Sequence, residues 1–178
     1  MRNYLKKADN SVGNAEASII KILSGRDNTT SSVIVSSSLR RAISTTTLAL
    51  WERVLRTSEK IHILSSLQEI SRNVDTYALS PANTCPDLPF ARVAPHCEGF
   101  APSVFNCSDN FGNKTRNFYG IKRLKAFNDW AFNRSEDVII VGGHSLWFKY
   151  YFQTYLPHKF DHGSKNKSNY LFTLSYFS

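Results

Sequence analysis

Two segments of the chain each combine an apolar strand, a polar turn and the start of a helix, and they carry the residues best suited to chemistry. The first is Ser37–Ala42, which contains Arg41, and the second is Gly142–Ser145, which contains His144. Ligands of open α/β sheets collect beyond the carboxyl ends of the strands, where helix N-termini present free amides and a partial positive charge. Arg41 supplies a guanidinium suited to bidentate phosphate contacts, and His144 an imidazole that can donate to an oxyanion or move a proton. The two segments therefore predict an anion site.

A carboxyl group follows the strand pattern that lies between these two segments. Glu69 comes shortly after the apolar run Ile61–Leu64. A carboxylic acid placed there could protonate a leaving alkoxide. Glu69 could instead cap a helix or face water. Arg40, next to Arg41, is expected to be a solvated residue of the helix surface.

Strands and helices alternate along the chain, and they must position these residues. Buried strands are predicted at three apolar runs: Val33–Val35, Ile61–Leu64 and Asp137–Val141. Helices are predicted from Leu39 to Val54, from Ile121 to near Asn133, and from about Leu146 to just before Pro157. Ser37 or Ser38 is the expected N-cap of the first of these helices. This alternation predicts an α/β fold, a three-layer α/β/α sandwich with a mainly parallel central sheet.

The length and composition of the chain limit the classes of protein to which it can belong. The 178 residues predict a single domain over residues 1–178, and 22 Lys and Arg against 14 Asp and Glu give a net charge of +8, which suits an anionic ligand. No apolar run approaches the ~20 residues of a bilayer span, so no membrane partner is expected. The polar amino terminus predicts no secretory signal, and the odd number of cysteines (Cys85, Cys97 and Cys107) predicts free thiols. A cytoplasmic protein without cofactor or metal is the expectation.

Residues 80–114 interrupt the alternation of strands and helices. All six prolines except Pro157 lie in this stretch, mixed with glycine, asparagine and the three cysteines. It shows no periodicity, so a long loop insertion is predicted. The basic groups Lys122–Lys125 and Lys159–Lys167 are expected to form a solvated face.

Three segments together resemble the motifs of the histidine phosphatase superfamily, the phosphoglycerate-mutase-like proteins. Ser37–Thr45 resembles the family pattern S-x-L-x-R-A-x-x-T, and Leu67–Glu69 is similar to its short segment that carries an acid. Val138–Phe148 resembles its late strand, Gly-His-Ser and helix element. The resemblance implies phosphoryl transfer through a phosphohistidine. It assigns catalytic roles to Arg41 (phosphate clamp), Glu69 (proton donor) and His144 (hydrogen bond to the transferred group), with Arg41, His144 and Ser145 binding substrate.

The chain departs from that pattern at the nucleophile. The family's attacking histidine lies in an Arg-His-Gly motif at the end of its first strand, and no Arg-His-Gly occurs in this sequence. We therefore expect a chain that begins downstream of that motif, with the first family strand missing and with weak or no activity. Reduced stability is also expected, because the neighbours of that strand would keep unpaired edges unless another segment covers them.

Three functions stay open on these grounds. The first is a histidine-phosphatase-like protein that acts on a phosphorylated small molecule, as a phosphomonoester hydrolase or a phosphomutase. The second is a non-catalytic protein that uses Arg41 and His144 only to bind a phosphorylated ligand. The third and least favoured is a basic nucleic-acid-associated protein, since the aromatic stretch around Trp147 lacks the interleaved cations of a nucleic-acid groove.

Overall fold

The apolar runs of the sequence form the strands of one parallel sheet. The computed structural model describes residues 17–77, 81–85, 88, 102–115, 120–155 and 172–176. Its strands are β1 (Ser32–Ser37), β2 (Ile61–Leu64), β3 (Phe105–Asn106), β4 (Val138–His144) and β5 (Phe172–Tyr176). They lie in the order β3-β2-β1-β4-β5, and every pairing is parallel. The helices are α1, described over residues 17–23, α2 (Arg40–Thr57), α3 (Gly120–Phe132) and α4 (Ser145–Tyr155).

Helices cover both faces of this sheet. Alternate residues of a strand point to opposite faces, so Ile34 of β1 packs in one core with Ile43 of α2, while Val35 packs in another with Phe127 of α3 and Trp147 of α4. Because both faces are buried, the strands read as continuous apolar runs rather than as alternating ones. The predicted mainly parallel α/β fold is confirmed.

In the segments Ser37–Ala42 and Gly142–Ser145, the strands end later than the sequence predicts. Gly142, Gly143 and His144 are the last residues of β4 rather than a turn, and α4 begins directly at Ser145. The serine N-cap predicted for α2 is wrong: Ser37 ends β1, and Leu39 is the N-cap, with no side-chain cap. The reason is the register of the sheet, which pairs Ser37 with Leu64 of β2 and so extends β1 to this point.

A strand interrupts the stretch that was predicted to be a long loop. Phe105 and Asn106 form β3, which pairs with the start of β2. The following turn is fixed by Asn110, whose buried side chain accepts from the Ser65 hydroxyl at 2.9 Å and donates to the Thr84 carbonyl at 2.5 Å. One amide therefore ties two described parts of this stretch to the carboxyl end of β2.

The cysteines of this stretch contribute to packing. Cys85 and Cys107 are free thiols, partly buried against the core on the α2 side. Burial raises the pKa of both thiols, that of Cys85 to about 12, so they are present as neutral thiols. Cys97 lies outside the described residues, as does the basic group 159–167.

The second edge of β4 is covered. β5 pairs with β4 over five residues, from Ile140 opposite Phe172 to His144 opposite Tyr176. β4 is thereby hydrogen-bonded on both sides, to β1 and to β5. The expectation that neighbouring strands would keep open edges therefore does not apply to β4.

A buried ion pair holds the amino end of β1. Arg53 of α2 is 3% exposed and bonds to the carboxylate of Glu59. Its guanidinium also donates to the carbonyl of Ile22 at 2.7 Å and to the hydroxyl of Ser32 at 3.0 Å. This one side chain therefore joins α1, α2 and β1.

The close approach of α2 to β4 gives a prediction. A Cβ at Gly142 would lie 1.8 Å from the Oγ1 atom of Thr46, which is fully buried and donates to the carbonyl of Ala42. We expect Gly142→Ala to lower the free energy of unfolding by about 1–3 kcal/mol, because two packed elements must separate. Urea denaturation measures this, and the double variant Gly142→Ala/Thr46→Ala should recover part of the loss. No recovery would contradict the steric cause.

Candidate functional site

The candidate site lies where β1 and β4 end side by side. The parallel register places Ser36 opposite Gly142, so the next residues of both strands emerge at the same edge of the sheet. There the Nε2 atom of His144 lies 2.9 Å from the Oγ atom of Ser37. Both side chains are buried. A hydrogen bond thus connects the two segments that the sequence singled out.

Three cations act on the imidazole of His144. Burial is the main cause that lowers the pKa of His144 from 6.5 to about 3, and the positive charges of Arg41, Lys114 and Arg123 lower it further. A group surrounded in this way is neutral at neutral pH. The structure therefore brings His144 and Arg41 to one place and adds two cations that the sequence did not single out.

Arg41 reaches this place from the first turn of α2. Its Nη1 atom donates to the backbone carbonyl of Asp75 at 2.8 Å and lies 3.9 Å from the Asp75 carboxylate. The side chain of Arg41 is 32% exposed, whereas that of Asp75 is 69% exposed. A half-exposed guanidinium held at one nitrogen keeps donors for a ligand, because arginine carries five N–H groups.

The amino terminus of α2 adds backbone donors. The first amides of a helix lack the usual acceptor four residues earlier; in α2 the amide of Ala42 donates to the carbonyl of Leu39 at 3.0 Å, and no side chain caps the helix. The hydroxyl of Ser38, which directly precedes the N-cap, is buried and has no hydrogen-bond partner among the described residues. Ser145 is the first residue of α4 and is half-buried. The two predicted helix starts therefore meet at the same edge.

Glu69 lies against this edge and caps a helix, one of the roles that the sequence left open. Its buried Oε1 atom accepts hydrogen bonds from the amide of Ile70 at 2.7 Å and from the amide of Trp147 at 3.1 Å. Trp147 belongs to the first turn of α4, so the carboxylate satisfies one of the free amides of that helix and complements its dipole. Glu69 thereby orients the helix that follows His144. Its role as a proton donor stays a prediction.

Lys114 holds the segment that carries Glu69. Its Nζ atom donates to the carbonyl of Glu69 at 2.9 Å, to the carbonyl of Ser71 at 2.5 Å and to the hydroxyl of Thr76 at 2.5 Å. Burial, together with the charge of Arg123, lowers the pKa of Lys114 to about 8. Nothing in the sequence marked Lys114 except its charge, because it lies in a stretch without periodicity.

Arg123 also faces the site, although the sequence placed it on a solvated surface. Its guanidinium donates to the carbonyl of Gln68 and, at 3.3 Å, to that of Glu69. Burial lowers the pKa of Arg123 to about 10. Lys122 and Lys125 are exposed, as expected for a solvated face, but Arg123 is half-buried. Arg123 lies four residues before buried Phe127, and this helical spacing is the signal that could have found it.

Two further findings concern the chemistry open to this protein. Among the described residues, no group of three or more His, Cys, Asp or Glu side chains lies close enough together to hold a metal ion. None of the helices in the described part combines the length and the apolar character needed to cross a bilayer.

No family model, curated protein or solved structure matches this chain. The geometry of the site and the three motifs are therefore the grounds for any functional proposal.

The environment of His144 predicts a dependence of stability on pH. The unfolded chain takes up a proton at His144 near pH 6.5, and the folded chain only near pH 3. The free energy of unfolding that this pKa difference contributes is complete above about pH 6.5. It is lost progressively as the pH falls towards 3, because the unfolded state binds more protons in that range. An NMR titration of the His144 ring should show no protonation above about pH 4. A midpoint near 6.5 in the folded protein would contradict the burial described above.

The carboxylate of Glu69 gives a second prediction. We expect Glu69→Ala to cost about 0.5–2 kcal/mol of unfolding free energy, the usual cost of removing a helix-terminal acceptor. Glu52→Ala, an exposed glutamate of α2, is the control and should change stability little. Equal effects of the two substitutions in urea denaturation would show that Glu69 does not hold the start of α4.

Proposed function

We propose that this protein is phosphoglycerate-mutase-like and that its site at the ends of β1 and β4 binds the phosphate group of a phosphorylated small molecule. The observation that carries the proposal is the hydrogen bond between His144 and Ser37 at the ends of β4 and β1, beside a helix start that has no side-chain cap and carries Arg41 in its first turn. The positive charges of Arg41, Lys114 and Arg123 also act on His144. Helix N-termini and arginine forks are the groups that proteins use most readily for phosphate.

The charges of the site support an anionic ligand because the three cations Arg41, Lys114 and Arg123 act on His144. The acids that act on these cations are Glu69 and Asp75. Lys114 and Arg123 bond to backbone carbonyls, and Arg41 bonds to the carbonyl of Asp75 at a shorter distance than to its carboxylate. A dianionic phosphate at this place would raise the pKa of His144, since an opposite charge favours the protonated imidazole.

Recognition, rather than turnover, is the function that these residues support best. The covalent step implied by the family needs an attacking histidine, and the 178 residues contain no Arg-His-Gly. The Nε2 atom of His144 is hydrogen-bonded to Ser37, which suits an imidazole that orients a ligand. Phosphomonoester hydrolysis is the second candidate, favoured by the carboxyl group of Glu69 beside the same edge.

A pair of neighbouring arginines tests the proposal. We expect Arg41→Ala to weaken the binding of inorganic phosphate about tenfold or more, as the loss of a charged hydrogen bond predicts. Arg40→Ala removes the same charge one residue away, from an exposed position, and should leave binding nearly unchanged. Isothermal titration calorimetry on both variants makes the comparison.

Two outcomes would contradict this proposal. Equal losses of phosphate affinity in both variants would mean that only the overall charge attracts phosphate. That behaviour is expected of a nucleic-acid-associated protein, whose affinity falls steeply with salt. Hydrolysis of an aryl phosphate at a rate ordinary for phosphatases, abolished by Arg41→Ala, would replace recognition by catalysis.

A further inference from the structure

A cavity of about 220 Å³ lies next to the candidate phosphate site, beyond the carboxyl ends of β2 and β3. One wall is formed by Ser65 and Ser66, which follow β2, and another by residues 109–114, which follow β3. α3 closes the third side with Ala126 and Trp130. The cavity therefore opens at the same edge of the sheet as the site at β1 and β4.

The cavity and the phosphate site share two side chains. Lys114 and Arg123 line the cavity, and both donate to the backbone carbonyl of Glu69. The carboxylate of Glu69 accepts from the first turn of α4, directly after His144. The one acid of the lining, Asp109, accepts a hydrogen bond from the indole of Trp130 at 3.1 Å. The positive charge thus lies at the end of the cavity that adjoins the phosphate site.

The remaining walls are suited to an apolar ring. Phe111 lines the cavity with 77% of its surface exposed, and the half-buried ring of Trp130 lines it as well. A large aromatic side chain left in water gains free energy when a ligand covers it. A cavity of ~150 Å³ lined by apolar side chains is enough to hold benzene, so this cavity is large enough for one aromatic ring.

From these observations we propose that the cavity binds the aromatic part of a phosphate monoester whose phosphate group occupies the neighbouring site. This inference rests on the proposed phosphate-binding function and names the class of ligand. Lys114 and Arg123 lie at the junction between the two subsites, where the ester oxygen would pass. The ring would lie against Phe111.

Two esters that differ only in the organic group test this inference. We expect the protein to bind phenyl phosphate about tenfold more tightly than methyl phosphate, on the order expected from burying part of an apolar ring. Phe111→Ala should reduce that ratio towards one, and so should Ala126→Leu, which fills the cavity from an exposed position of α3. Phe132→Ala, at an equally exposed phenylalanine outside the cavity, is the control and should keep the ratio. Isothermal titration calorimetry measures each affinity.

The outcomes separate this inference from the function on which it rests. Binding of both esters with a ratio near one, or with a ratio that neither Phe111→Ala nor Ala126→Leu changes, would overturn the aromatic subsite and leave the phosphate site standing. Failure of both esters and of inorganic phosphate to bind would remove the proposed function and this inference together.

Discussion

The hydrogen bond between His144 and Ser37 depends on two strands being neighbours although they are far apart in the sequence. β1 and β4 lie side by side in parallel register, and the close packing of Thr46 on Gly142 holds α2 against both. A side chain larger than hydrogen at Gly142 would push the start of α2, and Arg41 with it, away from β4. The candidate site is thus a consequence of how tightly one helix packs on two adjacent strands.

Burial and charge act together on this edge of the sheet. The low exposure of His144 removes the solvent that would stabilise a protonated ring, and the surrounding cations oppose protonation further. Those cations are fixed by backbone carbonyls of residues 68–76, a segment without regular strand or long helix. The carbonyls of an irregular segment are available for this purpose because no sheet or helix uses them. Irregular backbone here serves to hold positive charge in place.

The sequence was most informative where periodicity and burial coincide. The runs at Val33–Val35 and Asp137–Val141 predicted two central strands because strands buried on both faces must be apolar throughout. The positions of Arg41 and His144 followed from the rule that the carboxyl ends of parallel strands share one edge. That β1 and β4 are neighbours is shown by the strand order of the sheet, which differs from the order of the strands along the chain.

Features that depend on tertiary contacts could not be predicted in this way. β3 is two residues long, too short for a periodic signal, and Lys114 follows it in a stretch whose path is set by the side chain of Asn110. The helix-capping contact of Glu69 joins residues far apart in sequence. Arg123 belongs to a basic group whose other members are exposed, so composition alone wrongly placed Arg123 on a solvated face. Each of these features is a contact between segments that local patterns do not describe.

Arg53 lies at the opposite end of β1 from Ser37, separated from it by a strand of six residues, about 20 Å in length. The hydrogen bond through which this guanidinium attaches α1, to the carbonyl of Ile22, is at that far end. Because local opening involves contiguous units of a fold, a detachment of α1 would break contacts at the end of β1 that lies away from the candidate site.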